Sequence, residues 1–312
     1  MSGVFLAVTI DCECDKGRRW KARSPLTFGG VSEGIGRRLA PLFHAYGAKP
    51  TYLVSPEVLR DAESVEVLSA QAAGSELGTH LHGEYAEPGA FEPDVTSAFQ
   101  RDYPPDVEAQ KLAYLTELFR TAFARSPRSF RAGRFGVGPA SMGLLESLGY
   151  AVDSSVTPFV SWEGAGARGL SFVGAPTQPY RPAHSAPGER GRAGESSILE
   201  VPVTIRPHPL SRVPFVGRAA APRWLRPSRM SAGALVDVAM EEVAAATRRA
   251  PGVPVVLNAM FHNVEVIPGA SPYAETEREA HTILERLAAL LAFAASESMR
   301  FVGLSDVAEL FA

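Results

Sequence analysis

Apolar runs of strand type alternate with longer runs of helical period from one end of this chain to the other, and that alternation limits the folds open to it. Strands are predicted at Gly3 to Ile10, Lys49 to Val54, Glu76 to His82, Ser129 to Gly133, Ala151 to Ser155, Ser197 to Ile205, Val253 to His262 and at Phe301. Helices are predicted at Glu33 to Tyr46, Pro56 to Ala73, Asp106 to Ala124, Pro139 to Leu148, Ala232 to Arg249 and Tyr273 to Ser296. A strand–helix–strand repeat of this kind builds a parallel sheet covered by helices. Seven or eight such units favour a distorted (β/α) barrel over an open sheet. Asp11, His80, Arg131, Asp153 and His262 all stand at the C-terminal ends of predicted strands. A barrel gathers those ends on one face, where such proteins place their chemistry.

The whole chain of 312 residues reads as one α/β domain with two interruptions. Residues 158–196, rich in Gly, Pro, Ser and Arg, form a long insertion that is either a lid or disordered. Residues 206–231 carry five prolines among basic and aromatic side chains, Phe215 and Trp224 included, and read as an ordered binding wall. Ser271 followed by Pro272 marks the entry of the last long helix.

The densest chemical signal is the segment from Gly74 to Glu84, where His80 and His82 arrive with Glu84 at a strand end. The first strand closes on Asp11-Cys12-Glu13, a second carboxylate cluster. Neutral imidazoles beside carboxylates are the usual ligands of a catalytic divalent ion, so metal-assisted hydrolysis is the chemistry expected. Glu13 lies two residues from Asp11, which puts both on one side of a regular strand. His44, His184, His208 and His281 are scattered and carry no such pattern.

With 46% apolar residues the chain is globular, and a formal charge of −3 with dispersed arginines gives no reason to expect a nucleic-acid partner. No apolar run approaches the roughly 18 residues of a membrane span. The opening reads as a first strand and not as a signal peptide, so a cytoplasmic location is expected. Cys12 and Cys14 are the only cysteines; a disulfide between them is geometrically poor, and both read as small buried residues.

Thr9-Ile10-Asp11-x-Glu13, Gly78-Thr79-His80-Leu81-His82, Phe130-Arg131-Ala132-Gly133-Arg134-Phe135-Gly136, Asp153-Ser154-Ser155-Val156-Thr157-Pro158 and Phe261-His262 follow one another in an order that resembles the NodB-homology polysaccharide deacetylases. The resemblance runs from about residue 4 to 310. It implies a distorted (β/α) barrel that binds Zn²⁺, or Co²⁺, Ni²⁺ or Fe²⁺, and removes N-acetyl groups from sugars. Carried over, Asp11 is the general base, His262 the general acid, His80 a metal ligand, and Arg131 the partner that orients Asp11. Arg134 does the same or holds substrate. The commonest pattern has a second aspartate where this chain has Cys12, so the carboxylate ligand passes to Glu13. Four residues after His80, where the pattern has its second histidine, stands Glu84; either His82 or Glu84 completes the set, with His82 favoured because imidazole suits Zn²⁺. Glu84 and Asp153 are also candidates for substrate contact, Asp153 against a plain turn signal.

These expectations describe a hydrolase acting on a sugar or a sugar-containing small molecule, with a homodimer left open. Hydrolysis of another C–N bond, such as a cyclic amide or ureide, is the alternative. A homologue with a decayed metal site that only binds carbohydrate is another, supported by Cys12.

Overall fold

The computed structural model describes residues 3–89, 99–212 and 221–312. Its centre is a parallel sheet built from β1 (Val4–Cys12), β2 (Pro50–Val54), β3 (Glu76–Leu81), β4 (Ser129–Ala132) and β5 (Val152–Asp153). A hairpin of β6 (Pro182–Ala183) and β7 (Ala186–Arg190) lies apart from it. The sheet resumes with β8 (Leu199–Glu200), while β9 (Ile205–Arg206) and β10 (Arg223–Trp224) form a second antiparallel pair. β11 (Val255–His262) and β12 (Arg300–Phe301) complete it, giving the order β11-β1-β2-β3-β4-β5-β8 with β12 beside the start of β1. The sheet curls into a distorted barrel, and α1 (Ala40–Tyr46), α2 (Pro56–Leu59), α3 (Ala62–Gln71), α4 (Pro105–Phe123), α5 (Ser141–Ser147), α6 (Ala232–Arg249) and α7 (Glu277–Ser296) surround it.

All nine residues of β1 are buried, as a strand covered on both faces must be. Side chains alternate along it. Leu6, Val8 and Ile10 join the large core under the helices, whereas Phe5 and Ala7 join a smaller plug with Leu53, Val152, Leu199 and Val256. Thr9 and Asp11 continue the second face upward, so the barrel interior runs from an apolar base to a polar top. The helix α8 (Leu304–Leu310) seats Leu304 and Val307 in that plug and closes the base. Burying one such side chain stabilises by about 1.5–3 kcal/mol.

No ladder closes the barrel between β8 and β11. Thr204 and Asn258 bridge the gap: Thr204 N donates to Asn258 O at 3.0 Å, and Asn258 N donates to Thr204 Oγ1 at 2.8 Å. The Asn258 amide nitrogen then reaches Ser154 Oγ at 2.9 Å and Val201 O at 3.1 Å.

Several predicted elements are divided or displaced. The strand over 197–205 is two short pieces, because Pro202 has no N–H to offer a ladder. The helix over 56–73 breaks at Arg60, and Asp61 caps the second part by accepting from Ser64 N at 2.9 Å. The helix at 33–46 begins earlier with a π-helical stretch, Gly30–Leu39, because the Asp15 carboxylate accepts the amides of Gly29 and Gly30 at 3.0 and 2.9 Å. Ser271 is not the cap of α7; Thr276 is, in a capping box with Glu279. Residues 158–196 are ordered rather than disordered, with Ala167, Leu170, Phe172 and Tyr180 buried. In the 206–231 wall, Phe215 lies outside the described residues.

Candidate active site

Three histidines converge on two carboxylates where β1, β3 and β11 end. β1 and β11 run in register, which sets Asp11 directly beside His262. Glu13 follows the end of β1, fixed by a reciprocal pair in which its N donates to Asn263 Oδ1 at 2.9 Å and Asn263 Nδ2 donates to its O at 3.0 Å. Glu13 Oε1 lies 3.0 Å from His82 Nε2, 3.3 Å from His80 Nε2 and 3.6 Å from His262 Nε2. Asp11 Oδ2 lies 3.8 Å from both His80 Nε2 and His262 Nε2.

Each imidazole has its far nitrogen engaged. His80 Nδ1 is 3.0 Å from Arg131 O, an atom that only accepts, so this nitrogen carries a proton and Nε2 is the atom turned to the carboxylates. His82 Nδ1 meets Glu84 Oε1 at 3.1 Å, and His262 Nδ1 meets Glu265 Oε1 at 2.7 Å. Such outer partners set the tautomer and aim of metal-binding histidines. Glu13, His80 and His82 each offer one donor atom, all within 4.8 Å of one another. Donors around a tetrahedral ion at about 2.0–2.1 Å stand about 3.3 Å apart. The three residues therefore fit a divalent cation in donor type and in spacing.

Arg131 is fully buried and directs NH1 to Asp11 Oδ1 at 2.6 Å. Its remaining donors reach Ser154 O (2.7 Å), Ser154 Oγ (2.8 Å) and Thr9 Oγ1 (2.8 Å). Burial pushes the Asp11 carboxyl up, but Arg131 first, then His80 and His262, hold it below the usual carboxylate range. Burial acts on Glu13 in the same way and is outweighed by Lys16 and His82, leaving it well below that range. Burial disfavours charge on His82, yet Glu13 and Glu84 raise it to about 9.

Other candidates fall differently from expectation. Glu84 is not beside Glu13: it holds His82 and pairs with Arg134 at 2.7 Å. Arg134 accordingly does not touch Asp11. Asp153 is fully buried beneath the cleft, paired in register with Glu200 and accepting from Ser155 Oγ at 2.6 Å, which removes it from any wall that substrate could reach. Cys12 is buried in the large core with its thiol toward Ile10 O at 3.5 Å, on the strand face away from Asp11, so it serves as packing. Both cysteines are free.

Three contributors have weak sequence signals. Lys16, buried, sets Nζ 3.0 Å from Glu13 Oε2, so each oxygen of Glu13 has its own task. Glu265, three residues after His262, also receives Arg226, a residue from an irregular loop. Trp20 places its ring edge-on to His262 with centroids 4.8 Å apart. The basic residues were read as dispersed, but Lys16, Arg18, Arg19, Lys21 and Arg23 share the loop that carries Trp20.

No protein-family model matches the chain, and no curated protein does. Solved structures share its fold. A protein assigned as a polysaccharide deacetylase in Mycobacterium smegmatis is 16% identical over 98% of this chain and 89% of its own, with a TM-score of 0.56. One assigned as a glycoside hydrolase/deacetylase in Parabacteroides distasonis is 14% identical over 99% of this chain and 71% of its own, with a TM-score of 0.65. The PuuE allantoinase is 14% identical over 99% and 90%, with a TM-score of 0.56. Among the described residues, no helix is long and apolar enough to cross a membrane.

Proposed function

We propose that this chain is a metal-dependent hydrolase of the NodB-homology class that removes an N-acetyl group from a sugar or sugar-containing small molecule. The observation that carries the reading is the convergence of three Nε2 atoms, each with its Nδ1 engaged, on Glu13 Oε1 and Asp11 Oδ2. Glu13, His80 and His82 would hold the ion, with Zn²⁺ the best match to two imidazoles and one carboxylate. When bound, such an ion polarises an amide carbonyl and brings the pKa of water near 7.

The remaining roles belong to the protein. Asp11 is ionised and fixed by Arg131, so its free Oδ2 takes a proton from the attacking water. His262 stands across Glu13 and Asp11 with Nδ1 on Glu265, so its Nε2 delivers a proton to the leaving amine. Lys16 keeps Glu13 Oε2 occupied, leaving Oε1 for the ion.

The test joins metal content to acetate release on untagged protein. Near one ion per chain is expected, with turnover abolished and metal retained in Asp11→Asn, and metal lost in His80→Ala. Full activity and full metal content in His80→Ala would overturn the assignment. The allantoinase among the structural neighbours motivates a second reading, ring opening of a cyclic amide or ureide on the same groups. Turnover of allantoin without acetate release from N-acetylated sugars would select it.

A further inference from the structure

Apart from Lys16, which holds Glu13, the loop between Glu13 and the first helical turn has no part in the chemistry above, yet it is built at the mouth of the site. Asp15 N donates to Thr27 O at 2.8 Å and closes its base, while Lys16 N and Gly17 N both donate to Ala270 O, at 3.0 and 2.9 Å. Inside it, Trp20 N donates to Gly17 O at 3.1 Å and Lys21 N to Lys16 O at 2.8 Å. Trp20 takes a left-handed conformation, φ 54°. Its ring meets His262 at 4.8 Å and Tyr273 at 5.7 Å, both edge-on. An aromatic surface thus stands beside the histidine that faces the leaving amine, on the side where the sugar must lie.

The loop that carries that ring is basic. The chain carries −3 overall. Arg18 is paired with Glu275 at 3.3 Å, but Arg19, Lys21 and Arg23 are exposed and have no carboxylate in ion-pair range among the described residues. Arg229, exposed and bonded to the Tyr273 hydroxyl at 3.2 Å, has none either among the described residues. Arg19 and Lys21 flank Trp20 in the chain, so cations with no carboxylate partner among the described residues border the ring that meets His262. Arginine forks and lysine ammonium groups in this setting match a phosphate, whose oxygens accept several charged hydrogen bonds.

We infer that this loop is a specificity element for a phosphorylated N-acetylated sugar: the ring rests on Trp20, and the phosphate on the leaving-amine side is held by Arg19, Lys21 and Arg23. The inference rests on the deacetylase reading for the identity of the sugar, and on the loop alone for the phosphate. Phosphate ester and diphosphate present the same chemistry whether the sugar is soluble or linked to a lipid.

The experiment is calorimetric binding to the metal-loaded full chain at low and high salt. The soluble probes are N-acetylglucosamine, its 1-phosphate and its uridine diphosphate ester. The membrane probe is a polyprenyl-diphosphate N-acetylglucosamine in phosphatidylcholine vesicles, set against bare vesicles. Three exposed ion pairs predict a preference of about tenfold or more for phosphate at low salt, shrinking as salt rises. Arg19→Ser/Lys21→Ser/Arg23→Ser is expected to bring that preference toward unity, and Trp20→Ala to weaken neutral and phosphorylated sugars alike. A preference in the soluble arm assigns a sugar phosphate; a preference with vesicles alone assigns a lipid-linked one. Equal binding with and without phosphate in both arms, or a preference that survives the triple substitution, overturns the inference. Acetate release without phosphate preference sinks the inference and leaves the deacetylase reading; phosphate-dependent binding without acetate release does the reverse.

Discussion

Replacing Arg131 with Met isolates the ion pair on which the proposed base depends. The guanidinium is fully buried and donates to Asp11, Thr9 and twice to Ser154. Removing one partner of a buried pair costs about 3–5 kcal/mol, since the other charge stays buried and uncompensated. For a chain of 312 residues, with an unfolding entropy of about 2.1 cal/mol/K per residue, that is a fall in melting temperature of about 5–8 °C. The cost must also depend on pH. In the native protein Asp11 is held below its unfolded value, so its stabilisation is present above about pH 3.9 and is lost as pH falls through the folded pKa. Without Arg131 the effect of burial dominates and the sign reverses: Asp11 then favours the protonated form, and the deficit shrinks as pH drops from 7 toward 4.5. Urea unfolding followed by circular dichroism at both pH values measures this, alone and combined with Asp11→Asn, where the double variant should cost less than the sum by about 1–3 kcal/mol. A cost below about 1 kcal/mol, the value of an exposed pair, or one independent of pH and of Asp11, refutes the reasoning.

Glu265→Gln removes the anion behind His262, a carboxyl that burial raises but Arg226 and His262 hold at about 2. Turnover should fall about 10–100-fold with metal retained, measured by steady-state assay beside metal analysis. Metal-free protein should hold a proton on His82, whose value near 9 gives stability that is complete below about pH 6.5 and lost as pH rises through 9. Zinc uptake at pH 7 should therefore release about one proton per ion, measured by calorimetry in buffers of different ionisation enthalpy; zero release would rule this out. Gly133→Ala places a methyl 2.5 Å from Leu81 O and 3.3 Å from the His82 ring, so metal affinity should drop about tenfold or more. Gly143→Ala, with nothing within 4 Å, is the control and should leave metal binding intact.

The barrel was legible because β1 and β11 are long, largely apolar runs that carry Asp11 and His262 at their ends, and a β/α alternation has few other ways to bury such strands. His80 and His82 were legible because they stand two apart at one strand end, and Glu13 because it shares a strand face with Asp11; the structure brings those three together. The choice between His82 and Glu84 as third ligand stayed open in the sequence because spacing cannot show that β3 ends at Leu81 and that the following 3-10 turn carries Glu84 behind His82. Asp153 was misread for a related reason: β5 has two residues, too few for alternation to reveal that its carboxylate faces Glu200. Arg226 left no trace, since it comes from a loop without period and meets Glu265 across 39 residues. Lys16 and Trp20 were hidden in a stretch that reads as a plain polar connection.

The seam at Thr204 and Asn258 bears on how such a molecule can change over evolutionary time. Where neighbouring strands share a full ladder, lengthening one connection strains every rung. Here two side chains stitch the gap, and the long excursions at 158–196 and 206–231 both leave from its β8 side. Those excursions can be rewritten, lengthened or exchanged while the stitches and the catalytic strands stay put, so new substrates become reachable without a new scaffold.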